Sequence, residues 1–311
     1  MTPRWLLFIL VLSIFCSSNL QAQEDSTYSE FGGMIFLDSF VVTATRAGFN
    51  TDDFIEMVRE DESFYQGFQN IRGLNYKATN NIRFYNRKGK QKASYESLSQ
   101  QYSDGDCRTM DYSEEKITGN FYKRKKKFRY YTAKMYDKIF LTHGQICESK
   151  IVESENPKGM EKHIAELKKL IFKPGEKVDV PIVGKKTAIF DPELSKYYNY
   201  SITSETYKND IDCYVFTAEI KPEYQKRKEG KTIIKFLQTY FDKRNFNVIA
   251  RNYDLYYNSA LVDFDVKMEI KLKLLDNDQY VPEFIKFVGD WNIPIMKKEI
   301  AEFDIFFFEY E

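Results

Sequence analysis

Two histidines are available for chemistry, His143 and His163, twenty residues apart. His143 precedes Gly144 in a turn-like stretch, and His163 lies in a Lys-rich helical stretch. Neither has a second donor at the spacing that metal ligation requires, so no metal centre is expected. Cys147 stands four residues after His143, the makings of a thiolate–imidazole pair, but a disulfide or an inert thiol is the simpler state in an exported chain. Cys107 (DGDCR) and Cys147 (HGQICES) both sit among loop-forming residues and are expected to pair with each other. Cys213, inside the apolar run IDCYVF, reads as a buried small hydrophobe. No serine occupies a nucleophile elbow, and no glycine-rich phosphate loop is present. Among 46 acidic residues no carboxylate pair stands out for glycosidase-type chemistry. The expectation is a protein that is not an enzyme and has no cofactor. The densest charge run is KRKKK, Lys123 to Lys127, with aromatics on both sides. It reads either as a patch for phosphate or lipid headgroups or as a solvated hairpin tip.

The N-terminus sets the compartment. Arg4 is followed by an apolar stretch, Trp5 to Cys16, then Ser17, Ser18, Asn19 and a small residue at Ala22. That order is a secretory signal peptide over 1–22, and its apolar core is too short to span a bilayer. Phe15 before Cys16 argues against a lipoprotein signal. The expected location is the periplasm or the outer-membrane periphery of a Gram-negative-type envelope. Removing the first 22 of 311 residues leaves 289. It takes away Arg4 and no acid, so 46 basic residues become 45 against 46 acidic, a net charge of −1. Such a chain has no global field for nucleic acid or an anionic membrane. No later stretch is apolar for the length of a transmembrane helix.

Any site must be held by a sheet. Residues 263–274, DFDVKMEIKLKL, alternate polar and apolar for twelve positions. Phe264, Val266, Met268, Ile270, Leu272 and Leu274 point one way, and the charged residues point the other. A strand of roughly 40 Å, at about 3.4 Å per residue, belongs to a large antiparallel sheet that is dry on one face. With 26 Phe and 23 Tyr, aromatics make up 16% of the chain, which suits pleated, half-buried surfaces. At least nine strands are expected, with 263–274 near the centre.

Along the chain, 23–49 is a polar lead containing FVVTATR, expected as a short strand or docked tail. Residues 50–311 are expected to form a single β-rich domain. Asn50 or Thr51 can cap a helix, and Phe54, Ile55, Val58, Phe64, Tyr65, Phe68 and Ile71 keep helical spacing. Tyr76–Asn86 and Gln91–Tyr102 flank RKGK as a hairpin. Lys116–Lys123 and Phe128–Leu141 flank KRKKK in the same way. Ile164, Leu167, Leu170 and Ile171 predict a helix over 160–172, ended by Lys173-Pro174-Gly175. From Tyr200 the chain reads as a meander of strands over 211–220, 232–242, 246–257, 260–275, 281–289 and 295–310, with Trp291 at a turn.

The expected architecture is a β-rich α+β fold, a large curved antiparallel sheet (half-barrel) with helices on its concave face. ITGNFYKRKKKFRYYTAKMYD (117–137) and TYFDKRNFNVIARNYDLYY (239–257) resemble the periplasmic lipoprotein carriers of the LolA/LolB type, although the hairpin lacks their usual Pro-Gly. The resemblance implies a helical lid over an apolar cavity, with lipid or lipoprotein as partner. It places Arg129 and Asp242 nearest the family's positions. The expected ligand-facing residues are Phe54, Val58, Phe68, Arg129, Phe264, Val266, Met268, Ile270 and Leu272. The other reading keeps the same sheet as a structural or interaction module that meets envelope proteins, its core filled by its own side chains.

Overall fold

Strand register is set by which face must stay dry, because a one-residue slip would turn every apolar side chain outward. The computed structural model describes residues 50–148, 157–179, 184–208, 211–225, 230–259, 263–292 and 298–311. The signal-like leader, FVVTATR and the ends of the strands expected over 260–275 and 295–310 lie partly or wholly outside the described residues. Eleven strands form one antiparallel sheet: β1 (Tyr76–Tyr85), β2 (Gln91–Ser103), β3 (Cys107–Gly119), β4 (Ile146–Cys147), β5 (Tyr198–Tyr207), β6 (Ile211–Ile220), β7 (Ile234–Asp242), β8 (Val248–Asn258), β9 (Asp263–Leu274), β10 (Tyr280–Asn292) and β11 (Glu299–Phe308). Their spatial order is β4-β3-β2-β1-β11-β10-β9-β8-β7-β6-β5, so the sheet is open, with β4 and β5 at its edges. Two meanders are joined where β1 pairs with β11, Ile82 opposite Phe303. The strand read from its alternation, β9, lies one place from the centre.

Register shows that one face carries the helices. Arg251 of β8 is opposite Ile270 of β9, which is opposite Ile285 of β10. Ile285 is opposite Ile305 of β11, and Ile305 is opposite Asn80 of β1. Helix α1 (Thr51–Glu60) starts in a capping box. The Asn50 side chain accepts from the Asp52 and Asp53 amides at 2.8 and 3.1 Å, and Asp53 accepts from the Asn50 amide at 2.7 Å. It buries Phe54 against Tyr214 and Phe241, with ring centroids 5.5 and 5.7 Å apart. Helix α2 (Ser63–Asn70) lies against β9. A Cβ on Gly67 would come within 2.8 Å of a Leu272 methyl, so glycine permits that approach. All these partners belong to the same face.

The segment expected as a return strand, 128–141, is instead helix α3 (Tyr131–Phe140). Its aromatics suggested a strand, but Thr132, Ala133 and Tyr136 fall on one helical stripe and are buried. Tyr136 packs on Phe303 and donates to the Asn80 side chain at 2.7 Å. Only an isolated bridge, Tyr122 with Phe128, survives of that hairpin, and its outgoing strand is the end of β3, stopping at Gly119. Trp291, expected at a turn, lies within β10, where its indole N–H donates to Thr132 Oγ1 at 3.1 Å. The fourth helix, α4 (Met160–Phe172), is seated as expected but has no fully buried residue.

Cys107 and Cys147 are directly opposed in β3 and β4 and form a disulfide, with Cα atoms 3.9 Å apart. Cys213 is a free, buried thiol. The disulfide consumes both sulfurs of the cluster Asp106, Cys107 and Cys147, the one place among the described residues where three metal-ligating groups converge.

Candidate functional site

The helical cover is tied to the sheet by polar groups inside an apolar layer. Asp61 ends α1, and its carboxylate accepts from the Ser63 amide at 2.9 Å and the Phe64 amide at 3.4 Å, so it caps the start of α2. Arg251, on the inward side of β8, meets the same carboxylate at 2.9 Å, the two side chains being 0% and 5% exposed. The other guanidinium nitrogen donates to the Ile171 and Phe172 carbonyls at 3.1 and 3.3 Å. These carbonyls are at the C-terminus of α4, where a helix leaves acceptors unpaired and favours positive charge. Tyr253, one inward position further along β8, donates to Ile171 O at 2.6 Å. Burial pushes its phenol up to about 12. The Arg251 guanidinium also lies 4.7 Å from the centre of the Phe64 ring. One buried arginine thus holds the α1–α2 corner and the end of α4 to the sheet.

Around this clamp the layer is filled. Phe54, Val58 and Phe64 have no exposure. Phe172 of α4 packs on Phe64, Tyr65 and Phe68 with centroids 5.0 to 5.9 Å apart. Met268, Ile270 and Leu272 are buried beneath. Away from α1, α2 and α4 the same apolar face continues into Phe264 and Val266 of β9 and into Phe287 and Trp291 of β10, Trp291 meeting the start of α3 at Tyr131 and Thr132. All four are only half-buried. Phe264 is opposite Trp291, and Val266 is opposite Gly289. The face therefore divides into a covered part and an open part.

The structure brings together Phe54, Val58, Phe68, Met268, Ile270 and Leu272 under or within the cover, and places Phe264 and Val266 beside it. Arg129 is elsewhere, exposed between the basic loop and α3. Asp242 holds the β7–β8 turn, gripped by Arg244 Nε at 3.0 Å and by the Tyr280 hydroxyl at 2.7 Å. Burial works to raise its carboxyl, but the bonds from Arg244 and Tyr280 prevail and hold it below the usual range. Sequence reasoning did not single out Arg251, Asp61 or Tyr253. The signal was present in VIARNYDLYY, where a charged residue occupies an inward position of an alternating strand. A cavity of about 70 Å³ lies on another part of the face, between β1–β3 and α3. It is far below the roughly 300–1,000 Å³ of ordinary ligand pockets.

An open antiparallel sheet with the long helices among the described residues all on one face defines the fold class. No family model matches the chain, and no curated protein matches it. Solved structures similar to it include a domain described as that of an outer membrane lipoprotein-sorting protein from Vibrio parahaemolyticus, at 9% identity over 84% of this chain and 93% of that one, TM-score 0.29. A LolA superfamily protein from Nitrosomonas europaea matches at 8% identity over 85% and 93%, TM-score 0.24. A DUF1329 family protein from Desulfovibrio piger matches at 11% identity over 86% and 92%, TM-score 0.24. The likeness to LolA-type structures noted in the sequence recurs, but superpositions this loose carry no weight for the site, and the fold assignment rests on the strand order and register.

Proposed function

We propose that the chain is an exported, non-enzymatic binding protein that carries a lipid, an acyl chain or the acylated end of a lipoprotein on the helix-bearing face of its sheet. The observation that carries this reading is the continuity of β9, whose apolar face runs from Met268, Ile270 and Leu272 under the helices to half-exposed Phe264 and Val266. A chain bound on the open part, beside Phe287 and Trp291, extends beneath the cover as the helices lift. The part of the cover suited to such movement is α4, which buries no residue fully, and its lifting releases the hydrogen bonds that Arg251 and Tyr253 make to its C-terminus. The signal-like leader and the Cys107–Cys147 disulfide both fit an oxidising, exported compartment. A Gram-negative-type envelope is the setting that this reading implies, with lipoproteins or other envelope proteins as partners.

A second reading, a structural or interaction module of the envelope, is favoured by the filling of the layer around Phe54, Val58 and Phe64. The two separate by titration with a fluorescent fatty acid, repeated on Val266→Glu. Val266 is chosen over Met268 because it is half-exposed, so a carboxylate there leaves the buried layer intact. Saturable binding that Val266→Glu abolishes, with the fold retained, supports the carrier. No binding by the native chain refutes it and leaves the filled module.

A further inference from the structure

The cavity between β1–β3 and α3 has a chemistry different from that of the covered face. Its walls include Tyr95, Tyr112, Phe121, Tyr122 and Phe128. Phe121 and Tyr122 meet at 4.9 Å with planes 81° apart, Phe121 and Phe128 at 6.1 Å and 78°, and Tyr122 and Phe128 at 5.3 Å and 40°. Phe121 stands steeply to Tyr122 and Phe128 and lies nearly parallel to Tyr95, at 5.5 Å and 26°, so rings wall the cavity on more than one side as a partial box. Ring faces carry negative potential and attract cations, most of all weakly hydrated ones.

Two carboxylates, Glu115 and Asp137, complete the lining. Glu115 arrives there through a bulge. Glu96 is opposite Lys116 and Leu98 is opposite Ser113, so Glu114 and Glu115 crowd against one residue of β2. Glu114 takes a φ of 53°, an unusual conformation for a residue other than glycine. The bulge turns Glu115 onto the helix-bearing face, where the Tyr95 hydroxyl donates to it at 3.0 Å. A bulge that re-aims a side chain is a recurrent feature of functional sites. Asp137, on α3, reaches the cavity from the other side and contacts His143 Nε2 at 2.6 Å. Burial first, and then both carboxylates, raise the phenol of Tyr122; burial likewise raises that of Tyr112 to about 12 against its bond to the Thr142 carbonyl, with Asp137 and Glu115 adding smaller pushes upward. The two acids therefore act on the same small volume.

The loop that joins two of the wall residues has the opposite sign. Lys123 to Lys127 are all exposed and connect two wall residues, Tyr122 and Phe128, which form the isolated bridge that closes the loop. A bare cation is repelled by this loop, whereas a cation that carries a phosphate satisfies loop and box together. We propose that this cavity binds a phosphocholine-type zwitterion, its quaternary ammonium among the rings and the two carboxylates, its phosphate on the basic loop. The volume of about 70 Å³ suits a compact head of a few heavy atoms. The assignment is independent of acyl carriage, because it uses a separate part of the face.

The test is calorimetric titration of the full chain with phosphocholine, choline, inorganic phosphate and 3,3-dimethylbutyl phosphate, which replaces the nitrogen by carbon. Phosphocholine should bind at one site, and the uncharged-head analogue should bind about tenfold more weakly or worse. Glu115→Gln, an exposed position, should weaken phosphocholine binding by about tenfold without loss of fold, judged by urea unfolding. Sedimentation with phosphatidylcholine vesicles distinguishes the source. Co-sedimentation that phosphocholine competes away supports a lipid headgroup as ligand, and binding of the soluble compound alone supports a free one. The proposal is overturned if phosphocholine binds no better than inorganic phosphate or than 3,3-dimethylbutyl phosphate, or if Glu115→Gln binds it as the native chain does. The analogue comparison needs no variant, so a failure of Glu115→Gln to fold leaves the question decidable.

Discussion

Replacing Arg251 by Met should loosen the helical cover before it loosens the sheet. The substitution leaves the Asp61 carboxylate buried without its ion pair and strips the Ile171 and Phe172 carbonyls of their donor. Removing one member of a buried pair costs about 3–5 kcal/mol. Two features offset part of that. Asp61 keeps its bonds from Ser63 and Phe64. Arg251 Nε is buried without a hydrogen-bond partner among the described residues, and deleting such a group returns about 1–3 kcal/mol. The expected net loss is about 2–3 kcal/mol, read as a fall in urea midpoint at unchanged slope. A double-mutant cycle with Asp61→Ser, which keeps a capping oxygen for α2, should show a coupling of at least about 1 kcal/mol. Hydrogen exchange should locate the change, with α1, α2 and the end of α4 losing protection while β8 and β9 keep theirs. A stability loss under about 1 kcal/mol, additive single mutants, or equal loss of protection across the sheet would refute the clamp.

Converting Cys107 and Cys147 to Ser should cost about 2–4 kcal/mol, since the bridge closes a loop of separation 40, checked by urea unfolding against the oxidised chain. Cys213 is buried and its thiol is pushed by burial up to about 11, so a chain lacking residues 1–22 should show one reactive thiol only after denaturation. Glu299, which caps α3 through the Tyr131 and Thr132 amides, has its carboxyl raised, burial outweighing those bonds. A raised acid binds more protons folded than unfolded, so its contribution to stability falls as pH rises from the ordinary glutamate value, and Glu299→Gln should flatten the stability profile just above about pH 4.5. Leu272→Ala removes the methyls beneath Gly67 and should destabilise by about 2–5 kcal/mol in the same assay.

The alternation of β9 determined by itself that the protein is a one-sided antiparallel sheet, because a period of two over twelve residues admits one register with a dry face. Helical spacing in 51–70 and 160–172, and a cap at Asn50 or Thr51, were equally legible, since caps and stripes are local; the structure selects Asn50 and closes it into a capping box. The disulfide was legible from loop composition and export. What lay beyond the sequence was how distant segments combine. Residues 128–141 are rich in aromatics, which suit either a strand or a buried helical stripe, and only packing against Phe303 and Asn80 selects the helix. Arg251 was visible as a charge in an inward position, but nothing local says that its partners are Asp61, 190 residues away in the chain, and two carbonyls at the end of α4. The acid at 115 looked like one of many until a bulge, itself a matter of pairing with β2, turned it toward a box of rings. Periodicity is written residue by residue, whereas a clamp or a cage exists only once the sheet has chosen its neighbours.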